Sequence, residues 1–188
     1  MLFEMIRLIF CITGMPGSGK SLVADAAKQL GLRVVSMGDV IREEAERRGV
    51  PKSSMSLGAL MLKLRREEGN DVVAKRCLAM VRESKSSVLI EGLRSLDELN
   101  YFRQNADVQL IAVHASPSTR FDRLLKRGRP DDPKERSAFD ERDLRELQVG
   151  IGSIIALADH VFVNEGTLGD IGASAKAFFE GLLNAKNS

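Results

Sequence analysis

The sequence predicts an α/β three-layer sandwich built on a five-stranded parallel sheet, and three observations carry that expectation. Short β-rich runs alternate with longer runs of helical period, as in parallel sheets joined by helical crossovers. Helix-start signals fall where the strand runs end. The 188 residues, 44% hydrophobic and 29% charged, suit one well-packed domain and are too few for two.

Strand one is expected at Ile6–Ile12, which makes Met5 an alternative start. Its uncharged stretch, Leu8–Cys11, is too short for a signal peptide or a membrane span. A helix over Leu22–Leu30 follows, then strand two at Arg33–Ser36. The gap before strand three at Val88–Glu91 is unusually long and holds helical patterns at Val40–Arg48, Leu57–Glu68 and Val72–Glu83, so it reads as an insertion. Ser95 with Glu98 resembles a capping box opening the next helix. After strand four at Gln109–Ala115, Ser116-Pro117 offers an N-cap with proline at the first helical position. A helix near Thr119–Lys126, a polar stretch Arg127–Arg136 and a helix from about Ala138 form a second excursion. Strand five at Val161–Asn164 is followed by Thr167 with Asp170, a second capping pattern.

Charge and cysteine content exclude several classes. The 28 basic and 26 acidic residues leave a net charge of +2, which announces neither a nucleic-acid nor a membrane partner. Cys11 and Cys77 form no CxxC pattern, so no disulfide framework or cysteine zinc site is expected, and a reducing, cytoplasmic setting fits. His114 and His160 lack ligand spacing and read as structural. The alternating charges of Arg42–Arg48 read as a wet helix surface.

The chemistry is concentrated in Gly14-Met15-Pro16-Gly17-Ser18-Gly19-Lys20-Ser21, a full GxxxxGK[ST] match between an apolar strand and a helical pattern. Glycines let backbone N–H groups converge on phosphate oxygens, and the following helix adds its positive end. Lys20 supplies charge for the β- and γ-phosphates, and the Ser21 hydroxyl suits Mg²⁺. Glu91 ends strand three where a magnesium shell is expected, with Arg94 close behind. Asp39 and Arg42 emerge after strand two at the carboxyl edge of the sheet, where open α/β sheets bind ligands. Plainer readings stay open for them: an N-cap for Asp39, exposed cations for Arg42 and Arg94. Arg120, Arg123 and Arg127 share one helical face, either as a solvated stripe or to neutralise charge in phosphoryl transfer.

These residues resemble the nucleoside-monophosphate kinase group of P-loop NTPases, adenylate kinase above all. Ser36–Arg42 looks like its STGDxxR segment, Glu91–Arg94 like its DGFPR segment, and Asp122-Arg123 through Arg127 like the DR…R stretch where its lid begins. Over nearly the whole chain, phrases such as MPGSGKS, VHASP and ALADHVFVNEGT resemble archaeal proteins described as dephospho-CoA-kinase-like or nucleotide-kinase-like. The resemblance implies a single P-loop kinase domain over 1–188, with an acceptor-binding insertion at 38–70 and a short lid at 127–142. It implies that Arg42 and Arg94 grip the acceptor's phosphate, that Arg123 lies against the donor adenine with Asn164 and Gly166 beside it, and that Arg127 reaches the donor phosphates. Glu91 departs from the usual Asp, the proline of the GFPR-like segment is missing, and the lid lacks a cysteine cluster, leaving Arg129 and Arg142 unaligned.

The function expected is transfer of the γ-phosphoryl of Mg-ATP to a small-molecule acceptor, a nucleotide or a nucleotide-containing metabolite, as in nucleoside-monophosphate or dephospho-CoA kinases. Lys20, Asp39 and Arg127 are the candidate catalytic residues. Asp39 separates the two acceptor types, since a hydroxyl acceptor needs a base and a phosphate acceptor does not. The alternative is an adenylate-kinase-like ATPase acting as a conformational switch on a protein or RNA partner. A GTPase is disfavoured because no NKxD segment follows strand four.

Overall fold

A computed structural model of the chain describes residues 8–82, 84 and 86–185. The expected strand start at Ile6, the alternative start at Met5 and the helix end at Glu83 lie outside them. The five strands are β1 (Ile9–Thr13), β2 (Arg33–Ser36), β3 (Val88–Leu93), β4 (Val108–His114) and β5 (His160–Val163). All pair in parallel, in the order β2-β3-β1-β4-β5, so the phosphate-loop motif leaves the central strand. Among the described residues no helix is long and apolar enough to cross a membrane.

Alternation along β1 explains the layers. Leu8, Phe10 and Ile12 enter the core formed with α1 (Lys20–Gln29) and α9 (Leu168–Ala185), where the Phe10 and Phe179 rings meet edge to face at 5.1 Å. Ile9 and Cys11 enter the opposite core. There they pack with α2 (Met37–Arg47), α3 (Ser54–Glu68), α4 (Val72–Val81) and α5 (Leu96–Asn105), with Ile154 of α8 (Ile151–Ala156) closing the layer. The three helical patterns expected between strands two and three are thus α2, α3 and α4. Beyond β4 come α6 (Pro117–Arg127) and α7 (Arg136–Val149).

The caps fall where the sequence put them. Ser95 and Glu98 form a full capping box on α5, and Ser116 accepts from the Thr119 N–H with Pro117 in the first turn of α6. The Asp170 carboxylate accepts from the Thr167 N–H at 3.0 Å. Three differences have local causes. β3 does not end at Glu91: Ile12 pairs with Glu91 but Thr13 with Leu93, so Gly92, with φ +101°, forms a bulge through which the strand continues. Asp39 is not an N-cap, because Ser36 takes that place and accepts the Asp39 N–H at 3.3 Å. α8 is an element the sequence reading lacked, set off from α7 by Gly150 at φ +112°.

Candidate functional site

The phosphate loop joins β1 to α1 through three glycines with left-handed backbone: Gly14 (φ +141°), Gly17 (φ +82°) and Gly19 (φ +101°). Space is as restrictive as the dihedrals. A Cβ at Gly14 would stand 2.2 Å from the Val113 carbonyl oxygen, and one at Gly19 would stand 2.1 Å from Asn164 Nδ2. No side chain caps α1, and while the Leu22 N–H turns back to the Gly19 carbonyl oxygen at 3.0 Å, the positive end of the helix faces the loop and suits an anion. The Ser18 hydroxyl is buried in the loop without a hydrogen-bond partner. A loop of this shape, with a positive helix end and an unmatched buried hydroxyl, fits a polyphosphate.

Lys20 is half-buried and donates from Nζ to the carbonyl oxygens of Gly14, at 2.7 Å, and Met15, at 3.1 Å. Burial pulls its ammonium down to about 8 from 10.5; Glu91 opposes the shift and Arg94 assists it. Ser21 is exposed in the first turn of α1, and Glu91 is half-buried at the sheet's carboxyl edge. Both open onto a groove of about 820 Å³ that also takes Asp39, Arg42, Arg123 and Arg127.

A second cavity, about 480 Å³, lies between α2, α3, α7 and the start of α5. Ile41, Leu57 and Met61 give it an apolar wall, and Arg42, Arg94 and Arg142 give it cations. A narrow space of about 90 Å³ shares residues with both, among them Lys20, Glu91 and Arg127 on one side and Arg94 and Arg142 on the other. The expected site residues Lys20, Ser21, Asp39, Arg42, Glu91, Arg94, Arg123 and Arg127 therefore converge on one connected region.

Most of these arginines are held by carboxylates. Arg42 donates to Asp39 Oδ1 from Nε at 3.0 Å and Nη2 at 2.5 Å. Arg94 Nε lies 2.8 Å from Glu146 Oε2, and Arg127 forks onto Asp132 at 2.9 and 2.5 Å. Burial raises the Asp132 carboxyl, yet hydrogen bonds from Arg127 and the Arg129 N–H outweigh it and hold the group below its usual range. Arg142 donates to the Asp131 carbonyl oxygen at 3.0 Å; burial and the nearby Arg94 lower its guanidinium, against Glu146 and Asp131.

Two expected residues take other positions. Asn164 is 1% exposed and turned under the loop: its Nδ2 donates to the Ser18 carbonyl oxygen at 2.8 Å, and its Oδ1 accepts from Arg123 Nη2 at 3.3 Å. Gly166 is exposed and lines none of the three spaces. The arginine stripe on α6 also needs correcting. Arg120 belongs to neither a solvated face nor the groove, because it is 3% exposed and forked onto Asp143 at 2.8 and 2.6 Å. Sequence reasoning missed Arg65, buried and bonded to Glu98 Oε1 at 2.5 Å, and Glu146. Both pair with partners more than thirty positions away, and no local pattern marks them.

A parallel sheet with a GxxxxGK[ST] loop at its central strand and a second cavity beside it defines a P-loop protein of kinase-like fold. Residues 13–137 match the family model of the AAA domain. A gluconokinase from Sinorhizobium meliloti 1021 superposes with a TM-score of 0.56 at 16% identity, covering 100% of this chain and 98% of that one. A shikimate kinase from Acinetobacter baumannii, in complex with shikimate, gives 0.58 at 15%, covering 99% and 98%. These likenesses concern the fold.

The chain belongs to the UPF0200 family. It is 48% identical over 167 residues to the UPF0200 protein of Thermococcus sibiricus, covering 86% of this chain and 88% of that protein. It is 50% identical over 166 residues to the Methanocaldococcus jannaschii member, covering 87% and 84%.

Proposed function

We propose that this protein is an ATP-dependent phosphotransferase that passes the γ-phosphoryl of Mg-ATP to a nucleotide or nucleotide-containing metabolite held in the second cavity. The observation carrying this reading is the narrow space lined by Lys20, Glu91 and Arg127 of the phosphate-loop groove and by Arg94 of the second cavity, two spaces that also share Arg42 and Asp131. A simple ATPase has no use for a second cavity opening on the same point.

Bound Mg-ATP supplies the transferable phosphoryl group and the cation that neutralises it. In this reading the loop amides and Lys20 hold the donor's phosphates, and Ser21 and Glu91 hold the magnesium ion. Arg123 lies along the donor groove, with Asn164 supporting the loop from beneath. Arg42 leaves the exposed Asp39 to take the acceptor's anionic group, a stronger charge-assisted contact than an exposed ion pair, and Arg94 adds its charge while still held by Glu146. Arg127, on the second excursion, neutralises charge at the transferring group. The 38–70 insertion and the 127–142 segment are the parts expected to close and exclude water.

The test is to incubate the protein with Mg-ATP labelled at the γ-phosphate and a panel of nucleoside monophosphates, dephospho-CoA and RNA. A labelled small-molecule product supports the reading. ATP turnover stimulated by a macromolecule with no such product would overturn it in favour of a partner-driven ATPase.

A further inference from the structure

The phosphate loop is braced from α6. Arg120 Nη1 donates to the Pro16 carbonyl oxygen at 3.2 Å, and its Nε donates to that of Ala115 at 3.1 Å. The guanidinium lies 4.9 Å from the Phe139 ring centroid. The backbones are equally close: a Cβ on Gly17 would stand 2.6 Å from the Arg120 carbonyl oxygen. A guanidinium this buried is costly unless a carboxylate matches it, and Asp143 does so with both oxygens.

Asp143 sits on α7, whose Arg142, Glu146 and Val149 line the second cavity. Neither Arg120 nor Asp143 lines any of the three spaces, so Arg120 acts on a loop-bound ligand through the backbone at Pro16 and Gly17. We propose that Arg120 is a positioning residue that fixes the anion-binding shape of the phosphate loop, and that Asp143 makes α7 the joint between that loop and the second cavity. The ligand arm of the following test rests on the nucleotide-binding reading; the exchange arm does not.

Asp143→Asn keeps the shape but removes the charge, and Arg120→Lys keeps the charge but loses the fork. Phe102→Leu, in the opposite core at 0% exposure, serves as a destabilised control remote from the loop. Two quantities are read below the melting transition. One is hydrogen exchange of the Ser18 amide, which donates to the Met15 carbonyl oxygen at 3.1 Å, and the other is the Kd of a non-hydrolysable ATP analogue with Mg²⁺. The expected result is about tenfold faster Ser18 exchange and about tenfold weaker binding in Asp143→Asn, with Arg120→Lys changing in the same direction. Phe102→Leu is expected to leave both unchanged. Unaltered exchange in both loop-brace variants, or an equal change in Phe102→Leu, would overturn the proposal. If the unsubstituted protein did not bind the analogue, the functional reading would fail while the exchange arm still decided the role of Arg120.

Discussion

In the proposed function Lys20 is the residue on which the donor site depends, and its protonation gives a pH signature. The folded ammonium titrates at about 8 against 10.5 for the free side chain. Between these values the unfolded chain binds more protons than the folded one, so this residue's contribution makes stability rise with pH from about 8 to about 10.5. Phosphate binding has the opposite trend, because it needs the charged form: affinity for a Mg-ATP analogue is expected to fall above pH 8 in the native protein. Lys20→Met should bind weakly at every pH and lack that slope. Asp39 distinguishes acceptors: Asp39→Asn is expected to lower turnover on the order of 10² or more with a hydroxyl acceptor and to leave a phosphate acceptor partly active. Steady-state kinetics with both acceptor types reads the difference, and equal losses would remove Asp39 as the base. At this scale the sequence made legible the features that rest on contiguous spacing, the glycine-shaped loop Gly14–Ser21 and the Asp39–Arg42 pair. It concealed Arg120 on Asp143, Arg94 on Glu146 and Asn164 under Ser18, because partner choice over such separations is decided by packing rather than by local pattern.

Element boundaries follow cap chemistry where a side chain announces it and go astray where backbone geometry decides. β2 runs over Arg33–Ser36 as expected, because Ser36 both ends the strand and caps α2. β3 overran its expected end because a glycine in a strand reads as a stop, whereas Gly92 here is a bulge that resumes pairing at Leu93. The α5 cap is tied to the insertion, since Glu98 accepts from the Arg94 and Ser95 N–H groups and also from Arg65 on α3. Ser95→Ala should therefore cost about 1 kcal/mol, the usual loss for an N-cap, read from the urea midpoint. Glu98→Ala should cost more, because it leaves the buried Arg65 without its carboxylate. Equal midpoints for the two variants would contradict that ordering.

For the whole molecule, the three layers and the three helices between β2 and β3 were legible from the alternation of strand and helix patterns. The second cavity was not, because its walls come from α2, α3, α5 and α7, which no single window of sequence contains. The proposed function also implies motion. The proposed lid at 127–142 is tied internally by the ion pairs Arg127–Asp132 and Arg142–Asp131, while the buried Phe139 keeps its α7 end packed on Phe121 of α6. Binding of an ATP analogue with an acceptor is expected to slow hydrogen exchange in 127–142 and to reduce the radius of gyration in solution scattering; no change in either would remove the lid. All of this presupposes a triphosphate in the loop. Titration calorimetry of a non-hydrolysable Mg-ATP analogue into the native chain and Lys20→Ala tests that most directly. Saturable one-site binding by the native chain, lost in a Lys20→Ala variant that still folds, is the expected result. No heat of binding from the native chain, or equal affinity in the variant, would contradict it.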